Sequence, residues 1–253
     1  MIEINSVNNS KIKEIKKLLQ KKYRHEENKY LIEGFHLVQE ALKSHEKYDY
    51  ILATPKAAER LQEENDINDK KLIIITDMIA NHLSATKNSQ EVFMVLNINQ
   101  PKTFSFEYGK WVVLDNLTDP GNVGTIIRTA DAAGYDGVVL SKESVDLYNP
   151  KVQRSMQGSQ FHVQLIQMPV MDALTSFKEN ELPIYVSVLD KTAKKLENCS
   201  SVPQLALVIG NEAHGVSPEV IALADKKIYI PIKGQAESLN AAVAAGIMIY
   251  HFS

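Results

Sequence analysis

The sequence is short of several things, and each shortage removes a class of function. A single cysteine in 253 residues, Cys199, leaves no internal disulfide to form, which suits a reducing compartment. Cys199 also has no partner that would mark a thiol nucleophile. The seven histidines are scattered without metal-ligand spacing, so no metal is expected. No apolar run approaches the roughly 18 residues of a membrane span, and the first residues are polar rather than signal-like. Membrane insertion is therefore not expected, and a cytoplasmic protein is. Neither G-x-G-x-x-G nor a P-loop lysine motif occurs, which disfavours a dinucleotide or nucleoside-triphosphate site. The net charge of −3 argues neither for nor against nucleic acid.

What is present is enough apolar content, 44% against 23% charged, to bury a core. Ser10–Arg24 reads SKIKEIKKLLQKKYR, with Ile12, Ile15 and Leu19 on one helical face and Asn9 or Ser10 as N-cap. Lys13, Lys17, Lys21 and Arg24 fall on a different face as a basic stripe. Such a stripe is either a solvated face or a surface that follows a phosphate backbone. YLIEGFHLVQEALKSH then gives a short apolar start, a Glu33-Gly34 step and an amphipathic helix through Leu37, Val38, Ala41 and Leu42. Strand-like runs follow at Tyr48–Thr54, Leu72–Thr76 and Val92–Ile98, so residues 1–98 are expected to form a small α/β domain. Residues 99–109 have no period and contain a proline, and read as a linker.

From residue 110 to 253 strands and helices alternate. Strands are expected at Trp111–Asp115, Gly137–Leu140, Val163–Ile166, Ile184–Val188, Leu205–Ile209 and Lys227–Ile230, and a last helix from about Leu239 to His251. This pattern predicts a parallel sheet covered on both faces, with ligands at the carboxyl ends of its strands.

Three of the turns at those ends are unusual. DNLTDPGNVGTIIRTADAAG, Asp115–Gly134, puts glycines, a proline and Asn122 before a helix, with Arg128 on its second turn. Exposed amides at such a helix start favour an anion. Arg128 is either a structural arginine paired with an acid such as Asp131 or a group aimed at the turn. VIGNEAHGVSPEV, Val208–Val220, places Asn211 and Glu212 in a glycine-bounded loop before a helix with Pro218 at its first position. Glu212 can also simply complement a helix N-terminus. IPIKGQAESLNAAVAAGIMIY, Ile230–Tyr250, starts a helix near Ser238 whose body is alanine and glycine, small enough for another backbone to pack closely.

Taken together, Asn122 with Arg128, Asn211-Glu212-x-x-Gly215, and Ser238-Leu239-Asn240 resemble the three signature motifs of the SpoU (TrmH-like) RNA 2′-O-ribose methyltransferases of the SPOUT superfamily. The resemblance covers about Lys110 to Tyr250. YNPKVQRSMQGSQFHV, Tyr148–Val163, also resembles that family's segment with an Asn-Pro, a basic residue and a Ser-x-x-Gly. The N-terminal portion is similar to the family's ribosomal-protein-like, RNA-binding substrate domain.

The resemblance implies an α/β fold in which the C-terminal parallel sheet carries a deep trefoil knot. It implies S-adenosylmethionine held by Val188, Leu189, Gly210, Asn211, Gly215, Ile230, Ile232 and Leu239, largely through backbone groups. Arg128 would be the activating residue, with Asn122, Glu212, Ser238 and Asn240 shaping the site. RNA contacts are assigned to Lys13, Lys17, Lys21, Arg24, Lys151 and Arg154. An obligate homodimer through the last helix is expected. The implied reaction is methyl transfer to a ribose 2′-hydroxyl of structured RNA, 23S ribosomal RNA foremost. The alternatives are a transfer-RNA 2′-O-methyltransferase and an RNA-binding homologue without activity.

Overall fold

The computed structural model describes residues 2–65, 67–98 and 106–253. The chain forms two compact units: Met1–Asn99 with Asp146–Phe161, and Gln100–Val145 with His162–Ser253. Residues 99–105, most of the expected linker, lie outside the described residues. In the rest of that stretch Glu107 and Tyr108 are exposed and Phe106 is not. Phe106 is buried, 4.9 Å edge-on from Trp111 and 4.6 Å from Phe177 by ring centroids, and belongs to the core of the second unit.

The first unit contains β1 (Ile2–Ile4), α1 (Ser10–Lys17), α2 (Lys21–Glu27), β2 (Lys29–Glu33), α3 (Phe35–Lys43), β3 (Tyr48–Ala53), α4 (Pro55–Glu64), β4 (Leu72–Ile75), α5 (Asp77–Leu83) and β5 (Val92–Asn97). Its strands pair in the order β1-β4-β3-β5-β2, parallel as far as β3 and antiparallel at β5 and β2. Side chains alternate across this sheet as strand geometry requires. Val92, Met94 and Leu96 join the layer of α3 and α4, while Phe93 and Val95 join the layer of α1 and α5.

The expected single helix over Ser10–Arg24 is two. Leu18 turns into the core with Ile12 and Ile15, Gln20 is extended, and α2 starts in a new direction. The Lys29–Glu33 run, which reads in sequence as a lead-in to a helix, is strand β2, paired with β5 (Lys29 with Asn97, Glu33 with Phe93) far along the sequence. Nothing local to those five residues announces that partner.

The second unit contains β6 (Lys110–Asp115), α6 (Pro120–Ala132) and β7 (Gly137–Leu140). The chain then contributes α7 (Pro150–Met156) to the first unit. It returns as β8 (Gln164–Gln167), α8 (Val170–Glu179), β9 (Ile184–Ser187), β10 (Lys194–Lys195), β11 (Leu205–Gly210), α9 (Pro218–Ala222), β12 (Lys226–Tyr229) and α10 (Ala241–Phe252). The sheet is seven-stranded and parallel throughout, in the order β10-β12-β9-β11-β6-β7-β8. Helices α8 and α9 cover the face bearing Trp111, Val113 and Val208, and α6 packs on α10 against the sheet. Strands β6 and β11 lie side by side at the middle, so their carboxyl-end turns are neighbours.

Candidate cofactor and substrate site

Three turns meet at the carboxyl edge of this sheet, each fixed by its own local chemistry. After β6, Asn116 takes a left-handed conformation (φ 60°) and Asp119 caps α6 by accepting from the Asn122 amide at 2.8 Å. Pro120 occupies the first helical turn, where its missing N–H costs nothing. Asn122, read from sequence as the helix start, therefore stands inside the first turn and is buried. Asp115, also buried, accepts from the backbone amide and the hydroxyl of Ser217, both at 2.8 Å, and so ties the end of β6 to the start of α9.

The turn after β11 admits only glycine at its start. A Cβ on Gly210 would lie 2.2 Å from the backbone of Gly215 and Val216. Asn211 and Gly215 exchange backbone hydrogen bonds of 2.9 Å, and Gly215 sits at φ +70°. Asn211 Oδ1 accepts from the amides of Ala213 (2.9 Å) and His214 (3.1 Å), while its Nδ2 donates to Asn116 O at 2.6 Å. The side chain thus closes its own loop and clips it to the first turn.

Glu212 faces that first turn as well. Its carboxylate accepts from the amides of Thr118 (3.3 Å) and Asp119 (3.2 Å) and from Asn122 Nδ2 (3.1 Å). Asn122 Oδ1 in turn accepts from Asn240 Nδ2 at 2.9 Å. Asn240 Oδ1 caps α10, accepting from Ala242 (2.9 Å) and Val243 (3.2 Å). The orientation of every amide follows from chemistry. Helix amides require an oxygen at Asn240, which leaves its nitrogen for Asn122, and an ionised Glu212 requires the nitrogen of Asn122. Desolvation works to raise the Glu212 pKa. The hydrogen bonds from Asn122 and from the backbone amides, its own included, outweigh that and hold the carboxyl below the ordinary glutamate range. Asn240 is thus a helix cap and Glu212 holds a neighbouring turn, and the two residues are joined through Asn122 besides.

Beside this chain lies a cavity of about 520 Å³. Val188, Leu189, Gly210, Asn211, Gly215, Ile230, Ile232 and Leu239 all line it, as do Glu212, Ser238 and Asn240. Asn122 and Arg128 do not. Sequence reasoning missed Ile209, Val216, Ala244 and Met248, which give the cavity much of its apolar lining. Ile209, Val216 and Met248 are buried as core residues are, and Ala244 is half-buried; only the convergence of β11, the turn before α9 and α10 turns them into a wall.

Arg128 is exposed on α6 and makes no hydrogen bond or ion pair with another described residue. The pairing with Asp131 does not occur. Asp131 instead faces His162, Oδ2 to Nδ1 3.1 Å. In the first unit, Lys13, Lys17, Lys21 and Lys151 are exposed and Arg154 is half-buried. Arg24 departs from the basic stripe altogether. It is 3% exposed and ion-paired with Asp146, because the break after α1 turns α2 inward at that position, and a phosphate cannot reach it. Among the described residues, no group of three or more His, Cys, Asp or Glu could hold a metal ion, and no helix is long and apolar enough to cross a membrane.

Comparison with known proteins divides the chain in sequence order, and the C-terminal match runs through residues 146–161. Residues 110–250 match the SpoU rRNA Methylase family, and residues 9–94 match the MRM3-like substrate binding domain. The chain is 37% identical to the 23S rRNA (guanosine(2553)-2′-O)-methyltransferase RlmP of Bacillus subtilis strain 168, over 99% of each chain. It is 29% identical to the mitochondrial rRNA methyltransferase 3A of Danio rerio, over 90% of this chain and 64% of that one. Among solved structures, the AdoMet-bound rRNA methyltransferase from Sinorhizobium meliloti superposes with a TM-score of 0.86 at 28% identity, covering 98% of this chain and 96% of that one. AviRb from Streptomyces viridochromogenes in complex with AdoMet gives 0.81 at 27%, over 96% and 97%. With the site geometry and both matches in agreement, the chain belongs to the SpoU rRNA methylase family.

Proposed function

We propose that this protein transfers a methyl group from S-adenosylmethionine to a ribose 2′-hydroxyl of ribosomal RNA, with 23S RNA as the substrate. The observation that carries the reading is the hydrogen-bonded chain Glu212–Asn122–Asn240 at the rim of a mixed apolar and polar cavity. The cavity suits the cofactor's chemistry: aliphatic walls for the adenine, backbone amides and carbonyls for its edges, and, among the described residues, no lysine or arginine in its lining to oppose a sulfonium. When bound, S-adenosylmethionine supplies an electrophilic methyl on a good leaving group. Val188, Leu189, Ile230, Ile232 and Leu239 hold it, together with the Gly210–Gly215 loop.

A ribose hydroxyl is a poor nucleophile, so the protein's task is to aim it and stabilise its developing negative charge. Arg128 is the residue for this. A guanidinium offers only N–H donors, so it acts as a donor to phosphate and hydroxyl rather than as a base. Glu212 is a weak base for the same job, since its carboxylate is already occupied by amide donors. Its role is to hold the first turn, and with it the start of α6, in register. The sheet is further proposed to be knotted. Two copies are proposed to join through the exposed Val243, Ile247 and Tyr250 of α10, and Lys13, Lys17, Lys21, Lys151 and Arg154 to meet RNA, in the cytoplasm.

The test combines cofactor titration by calorimetry with transfer to ribosomal RNA and nucleoside mass spectrometry. A 2′-O-methylated nucleoside is expected, and a base-methylated nucleoside or none would overturn the reading. Arg128→Ala is expected to lower transfer more than about 100-fold while cofactor affinity stays within about threefold.

A further inference from the structure

We propose that Arg24 is a positioning residue for methyl transfer, acting through Asp146 on the turn that holds Glu212. The proposal rests on the methyltransferase reading above. Within the first unit, Arg24 and Asp146 have side chains 3% and 6% exposed. Arg24 Nε donates to Asp146 Oδ2 at 3.1 Å, Nη2 donates to the same oxygen, and Nη1 donates to Leu18 O at 2.8 Å. Asp146 Oδ1 accepts from the Tyr148 amide at 3.0 Å. The guanidinium and the carboxylate are thus engaged on both sides, which leaves Asp146 one place to sit.

A buried pair of this kind adds little net stability over apolar residues of the same volume, whereas removing one partner strands a charge. Its contribution is geometry. The segment that Asp146 opens is held to the first unit along its length. Tyr148 lies against Tyr30, ring centroids 4.7 Å apart, and His36 bonds Gln157 O at 2.9 Å. Inside the segment, Gln153 donates to Leu147 O at 2.7 Å.

One peptide bond upstream, the chain is in the second unit, and there it supports the site. The Val145 amide donates to Leu117 O at 3.0 Å, and Leu117 is fully buried. Ser141 Oγ accepts from the Asn116 amide at 3.1 Å on the other side of the same turn. The two residues after Leu117 are Thr118 and Asp119, whose amides hold the Glu212 carboxylate. Val145 and Asp146 share a peptide bond, and through it the ion pair that holds Asp146 bears on the Val145–Leu117 hydrogen bond. Lys13, Lys17 and Lys21 are exposed where Arg24 is not, so Arg24 acts on the reaction without touching RNA.

The test uses the full chain carrying Arg24→Met, which keeps the aliphatic stem, and independently Asp146→Asn, which keeps the shape, in case the first variant fails to fold. Three quantities are read: the ¹H–¹⁵N resonances of Thr118 and Asp119, kcat and KM for ribosomal RNA at saturating cofactor, and cofactor Kd. In either folded variant both resonances are expected to move and kcat to fall about tenfold, with cofactor Kd and RNA KM within about threefold. Arg24→Lys, which retains charge but not the fork, is expected to recover part of kcat. Unmoved Thr118 and Asp119 resonances, or a loss carried by RNA KM alone, would overturn the proposal. If the wild type methylates no RNA, the methyltransferase reading fails, and the resonances still decide whether Arg24 positions the turn.

Discussion

Two glutamates in this molecule do nearly the same thing, and only one of them sits at the site. Glu33 ends β2 in the first unit and accepts from Ser84 Oγ (2.7 Å) and the amides of Ala85 (3.2 Å) and Gln90 (3.3 Å). Glu212 follows β11 in the second unit and accepts from two amides and one side chain at comparable distances. Each gathers a loop around a carboxylate. The difference lies in what the partners do next. Around Glu33 the loop closes on itself, Thr86 Oγ1 donating to Asn88 O at 2.7 Å. Around Glu212 the partner is Asn122, which passes the connection to Asn240 and the start of α10 beside a large cavity. A carboxylate nested in amides is ordinary loop architecture. A relay that locks three separate turns to one cavity is what makes a site.

The largest effect is expected where the relay's geometry has no slack. Gly210→Ala would place a methyl 2.2 Å from the backbone of Gly215 and Val216, so the Asn211–Gly215 loop must move as a body. Cofactor binding is expected to fall more than about 100-fold in calorimetry, with the fold retained by circular dichroism. Cofactor affinity near that of the wild type would mean the loop does not form this wall.

Breaking the carboxylate itself should cost less. Glu212→Gln offers the Thr118 and Asp119 amides one oxygen in place of two, and kcat is expected to fall about 10- to 30-fold. The same variant has a pH signature. Because hydrogen bonding holds the Glu212 pKa below its unfolded value, its contribution to stability is complete above about pH 4.3 and is lost as pH falls through the folded value. Urea unfolding of Glu212→Gln should therefore lose stability less steeply than the wild type below that pH. Parallel curves would show that the carboxylate is not held as described.

Much of the second unit could be read in sequence because its turns are set by residues acting locally. Gly210, Gly215, Pro120 and Asn240 each take a conformation or cap that their own chemistry demands, so the residues expected to share a cavity do line one. What escaped is what depends on distant partners. Arg24 has the composition of a surface stripe and becomes buried because Asp146, 122 positions away, meets it. The division of the chain escaped for the same reason. Tyr148 and Phe161 look like part of an alternating α/β run, yet they pack on the core of the first unit. Removing the first unit at about residue 110 would strand those apolar side chains, which makes such a truncation a poor test of RNA binding. Point substitutions are the cleaner instrument.

The smallest effect, and the sharpest test of the comparison, is Glu33→Gln. The substitution leaves one oxygen for donors that now have two, and turns an N–H₂ toward amides or the Ser84 hydroxyl. The Ser84–Gln90 loop should loosen at a cost of about 1–2 kcal/mol, measured by urea denaturation. Since the Glu33 network ends in its own loop, kcat at saturating RNA and cofactor should stay within about twofold of wild type. Any change should appear instead in KM for RNA, since this loop lies in the region that matches a substrate binding domain. A tenfold fall in kcat would place the two glutamates in one functional system, and the distinction between a nested carboxylate and a relayed one would no longer hold.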